Sequence, residues 1–89
     1  MERAIWKFTL AVTDMQVIEM PKGAEILAVD AQDDQPHIWA IVDPASPMEP
    51  RGVRVIGTGH PLPEEPGEHI GTFQLSGGRF VGHAFLCSK

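Results

Sequence analysis

The chain has 89 residues, 43% of them hydrophobic, and a net charge of −5. A length of this order allows one domain (residues 1–89) with a thin core, to which oligomerisation would add stability. The longest apolar runs are too short to span a bilayer, and Met1 to Lys7 carry no apolar signal core or cleavage pattern, which argues against export. Between Asp14 and Glu49 eight acids face one base, Lys22. Double-stranded nucleic acid is therefore a poor partner, because phosphate neutralisation needs a basic face.

No window keeps apolar residues at helical spacing for three turns, and eight prolines and nine glycines punctuate the chain. Strand signals come instead at short intervals. Ile5 to Val12 alternates, with Trp6, Phe8, Leu10 and Val12 on one face. Gln16 to Met20 forms a short second strand, and Pro21 to Ala24 turns the chain. Glu25–Gln32 and His37–Val42 form the next pair, joined by Asp33-Asp34-Gln35-Pro36. Both are nearly continuous in apolar residues, which predicts cover on both faces by a second sheet or another subunit.

The loop Asp43 to Gly52 follows, stiffened by three prolines. Val53 to Thr58 reads as the fifth strand, and Pro61 to Glu68 as a second proline loop. His69–Leu75 and Arg79–Leu86 are the last pair, with Ser76-Gly77-Gly78 supplying the positive φ angles of a tight hairpin. Seven short strands at this spacing predict an all-β domain, a small antiparallel β-sandwich or rolled barrel.

The candidate site is the strand exit Gly57-Thr58-Gly59-His60. Its glycines would let backbone N–H groups converge on an anion, with the Thr58 hydroxyl as a further donor. Arg51 or Arg54 would supply charge to a phosphate, and Trp39 would stack on a base. The plain alternative is a β-bulge at a strand exit with a surface histidine. Neither the spacing nor a following helix matches a Walker loop or a dinucleotide fingerprint.

No metal site is expected. His37, His60, His69 and His83 lack ligand spacing, and His83 and Cys87, four apart on one strand, would lie about 13 Å apart. Trp6 and Trp39 sit in apolar runs, where core packing or a subunit interface is the default. The single cysteine, Cys87, excludes an intrachain disulfide and points to a reducing, cytoplasmic setting with the thiol packed as a small hydrophobe. Ser46, Ser76 and Ser88 have no nucleophile elbow, and Glu64-Glu65 reads as a solvated charge pair, so no catalytic residues and no cofactor are expected.

Ile5-Trp6-Lys7-Phe8, Glu19-Met20-Pro21-Lys22-Gly23-Ala24-Glu25-Ile26-Leu27, Trp39-Ala40-Ile41-Val42-Asp43-Pro44, Gly57-Thr58-Gly59-His60-Pro61 and Ile70-Gly71-Thr72-Phe73-Gln74-Leu75 together resemble a family of small, largely uncharacterised proteins of phage genomes and prophages. The resemblance covers nearly the whole chain and implies a context, not residue roles. Gly82-His83-Ala84-Phe85 departs from the more apolar last strand expected of that family.

Small phage proteins of this kind often inhibit host defence, by analogy of class alone. The leading expectation is a non-enzymatic homo-oligomer in the host cytoplasm that binds a small phosphate-bearing ligand, such as a nucleotide or cyclic-nucleotide signal, and sequesters it. The rivals are an inhibitor that binds a host protein through a sheet edge or acidic surface, and a structural or assembly part of the virion.

Overall fold

A computed structural model describes residues 2–87. Seven strands form two antiparallel sheets: β1 (Ala4–Thr9), β2 (Gln16–Pro21), β3 (Glu25–Gln32), β4 (Gln35–Val42), β5 (Met48–Gly57), β6 (Glu68–Leu75) and β7 (Phe80–Leu86). The first sheet has the order β1-β4-β3 and the second β2-β5-β7-β6. The all-β fold expected from the alternation is the fold observed, and of the two forms expected, sandwich or rolled barrel, the two separate sheets are those of the sandwich.

Inward-facing residues of β2 to β7, with Leu10 just past the end of β1, build one core of Leu10, Met20, Val29, Ile38, Val53, Val55, Phe73 and Ala84. The sheets meet most closely where β6 crosses β3. A Cβ on Gly71 would lie 2.6 Å from Cβ of Val29, so only glycine permits this approach. With that corner closed, β1 and β2 are the far edges of the two sheets.

The strand limits differ from expectation where side chains or strand ends stand in for the backbone. β1 stops at Thr9, and Val12 is 51% exposed instead of continuing the apolar face. Here the Gln16 side chain mimics a strand neighbour: its Oε1 accepts from Ala11 N–H (2.9 Å) and its Nε2 donates to Ala11 O (2.7 Å).

The expected four-residue turn is a two-residue one. Asp33 and Asp34 both have positive φ (55° and 60°), and β4 starts at Gln35 with Pro36 inside it. Leu10 N donates to Pro36 O at 3.0 Å. The reciprocal bond from Pro36 is impossible, and the Gln35 side chain replaces it, donating from Nε2 to Leu10 O at 2.6 Å.

β5 begins five residues earlier than expected, inside the first proline loop. Cys87 N donates to Gly52 O (2.9 Å), so alternate residues face the β7 side. Pro50 turns its ring nitrogen the same way, but β7 pairs with β5 only from Val53 onward, so no bond is lost. The Ser76-Gly77-Gly78 hairpin takes the positive φ angles expected of it, and Ser76 N donates to Asp34 Oδ1 (2.6 Å), tying two hairpin tips together.

Cover on both faces of β3 and β4 is not what this chain provides. Only the inner face meets the other sheet. Leu27 sits at a register shift and is 51% exposed. On the outer face Trp39 lies beside the buried His37, ring centroids 5.7 Å apart, and Lys7 Nζ reaches from β1 to Gln32 Oε1 on β3 (2.6 Å).

Candidate ligand-binding site

The site grows from the alternation of β5. Val53, Val55 and Gly57 are buried, so Arg54 and Ile56 turn to the outer face of the second sheet, opposite Phe85 and His83. At the strand's end His60 N donates to Gly57 O (3.1 Å) with Gly59 at φ 90°, a turn that needs glycine at its third position. The chain then doubles back. Pro61, Leu62 and Pro63 close a cleft of about 450 Å³ with Asp14, Arg54, Ile56 and His60.

Three of these seven residues are polar and the others are apolar, a mixture typical of small-molecule sites of this size. Arg54 is the unusual member. Its Nε is buried without a hydrogen-bond partner. Among the described residues the one ion pair is Arg3 with Glu25 (3.8 Å), so Asp14, though it lines the same cleft, does not neutralise Arg54. A half-buried guanidinium with no carboxylate partner has the charge and donors to receive an anion.

The structure brings Arg54 and His60 together in this cleft, while Gly57 and Thr58 line a neighbouring depression with His60 and Arg79. Thr58 N donates to Val81 O (3.0 Å) and His60 N to Gly57 O, so neither N–H is free to converge on an anion as a nest would require. The Thr58 hydroxyl is also engaged. It lies 2.7 Å from Nε2 of His83, whose Nδ1 is 3.0 Å from Thr72 Oγ1, which is in turn 3.1 Å from Nε2 of His69. This threonine–histidine ladder runs from the turn after β5 across β7 and β6 and is satisfied internally.

Arg51, of opposite parity to Arg54, lines two other depressions, one with Glu49 and Cys87 and one with Glu68 and His69. Trp39 belongs to the first sheet and faces away from the core there, so it is remote from the Arg54 cleft.

Asp14, Ile56 and Leu62 were not among the expected site residues. Ile56 could have been found from the two-residue spacing to Arg54. Asp14 carries no such signal, since it depends on the pairing of β2 with β5. Among the described residues no three of His, Cys, Asp and Glu group as metal ligands, and the hydroxyls of Ser46 and Ser76 hydrogen-bond no histidine; Ser88 lies outside the described residues. Cys87 is half-buried, its Sγ 3.9 Å from Met15 Sδ. No helix among the described residues is long and apolar enough to cross a membrane.

A small two-sheet β domain with an arginine-bearing cleft, that of Arg54, on the outer face of the second sheet is the class these features define. The particular family is Domain of unknown function (DUF7352), whose profile matches residues 1–89; the chain belongs to it. No curated protein and no solved structure matches the chain.

Proposed function

We propose that the protein binds a small anionic molecule in the Arg54 cleft and acts by holding it, without chemistry of its own. The observation that carries this reading is Arg54, un-neutralised and with its buried Nε lacking a partner. A buried donor left unmatched costs about 1–3 kcal/mol; with Nε sealed off, an anion in the cleft is met by the outer guanidinium nitrogens, whose charge no carboxylate among the described residues neutralises. The apolar wall of Ile56, Pro61, Leu62 and Pro63 suits a flat or aliphatic body, and Asp14 suits a donor on that body. A nucleotide meets these demands, with its phosphate on Arg54 and a base amine toward Asp14. The resemblance to phage accessory proteins supplies a setting in which removing a nucleotide signal is useful.

The test is calorimetric titration with inorganic phosphate, mononucleotides and cyclic dinucleotides, preceded by native mass spectrometry of protein purified from a bacterial lysate. The expected result is binding of one nucleotide class that falls at least about tenfold, the loss of one charge-assisted hydrogen bond, in Arg54→Ala and is unchanged in Arg51→Ala. Binding that survives Arg54→Ala, or no binding across the panel, overturns the reading.

A further inference from the structure

A sheet edge exposes unpaired N–H and C=O groups, and proteins blunt such edges with bulges, prolines, charges or cover. Three of the four edges here are blunted. β3 and β6 cover one another at Val29 and Gly71, and each carries a register shift, at Ile26/Ala28 and His69/Gly71. β2 ends in Pro21 and bears Glu19. β1 pairs with β4 in unbroken register from Ala4 to Thr9 and contains no proline. Its one charge, Lys7, is drawn back over the sheet onto Gln32 (2.6 Å) instead of projecting beyond the edge. Residues 3–13 hold no carboxylate in a chain of net charge −5, so two copies meet here without acid–acid repulsion.

We propose that β1 is a pairing edge whose partner is β1 of a second copy, joined antiparallel about a two-fold axis centred on Trp6. The hydrogen-bond phase follows from Leu10, whose N–H faces β4. Phe8, Trp6 and Ala4 then also face β4, and Ile5, Lys7 and Thr9 point their backbone groups outward.

A two-fold axis through the sheet sets residues of the same parity opposite each other, so the centre falls on a residue. Centring on Lys7 opposes two ammonium groups, and centring on Ile5 opposes Lys7 to Arg3; both are unfavourable. Centring on Phe8 runs the strand into Ala11, whose backbone Gln16 already holds. Centring on Trp6 places Ile5 against the partner's Lys7, with both backbone bonds exchanged. It also sets Trp6 against the partner's Trp6 at the closer, non-hydrogen-bonded position. Trp6 is 37% exposed and lies outside the core cluster, so it has apolar surface to contribute.

The test uses the sign of a charge at position 5. Ile5 is 63% exposed, so substitution there leaves the core intact. Analytical ultracentrifugation of the full chain over a concentration series is expected to give a monomer–dimer equilibrium. Ile5→Lys opposes the partner's Lys7 at two symmetry-related pairs and should weaken the dimer about tenfold or more, whereas Ile5→Glu should hold or tighten it at low salt. Circular dichroism checks that both variants fold. A wild-type monomer at all concentrations, an oligomer indifferent to both substitutions, or equal loss in both, overturns the proposal.

Discussion

If Arg54 is kept for a ligand, the free protein should be more stable without it. The informative substitution is Arg54→Met, which retains an unbranched stem against Ile56, Leu62 and the prolines while removing both the charge and the orphaned donor. An unmatched buried donor costs about 1–3 kcal/mol. Arg54 is half-buried, so the outer guanidinium nitrogens reach water in the cleft and the lower end applies. A gain of about 1 kcal/mol corresponds to roughly 4–8 °C in Tm for a domain of this size.

The assay is thermal unfolding of ligand-free protein by calorimetry. The expected order is Arg54→Met above wild type. With ligand at about 100 times the wild-type Kd, wild type gains about 2.7 kcal/mol and a variant weakened tenfold about 1.4 kcal/mol, so the gap closes, and it reverses clearly where the loss of affinity is larger. A fall of several degrees in ligand-free Arg54→Met would refute the reasoning, because it would make Arg54 a strut of the fold.

Two further outcomes test the architecture. Gly71→Ala drives a methyl group to 2.6 Å from Val29 Cβ at the closed corner and should cost about 1–3 kcal/mol in urea unfolding; Val29→Ala in the double variant should not restore it, because alanine keeps the Cβ that is struck. Gln35→Ala removes the donor to Leu10 O that replaces the proline N–H and should cost about 1 kcal/mol by the same measurement.

Alternation made the strands legible. Val53 and Val55, and Phe73 and Leu75, repeat at two-residue spacing and are buried in the core or packed against it, as is Phe8, whereas Trp6, two residues before Phe8, stays 37% exposed. Proline was the misleading signal. Pro36 and Pro50 read as breakers, yet both lie in strands, because each faces a position where its missing N–H has no use or a substitute. Gln35 and Gln16 act as side-chain pieces of β-ladder, and nothing in local composition distinguishes such a glutamine from a solvated one.

The site was legible in part for the same reason. Arg54 and His60 lie close to the glycine turn in sequence, and the cleft holds both. The nest failed because Thr58 is still within reach of the ladder: its N–H belongs to Val81, a residue 23 positions later. Asp14 enters the cleft because β2 sets Gln16 opposite Val53, a long-range register that no local pattern reveals. What local composition does reveal is the stiffness of the segment that lines the cleft beside Arg54. Pro61, Pro63 and Pro66 hold φ near one value and remove backbone freedom from the loop beside Arg54. A ligand entering there has little chain to order, so the binding free energy reports the contacts themselves. Affinity should then follow Arg54 and the apolar wall directly, without a loop-closing step before it.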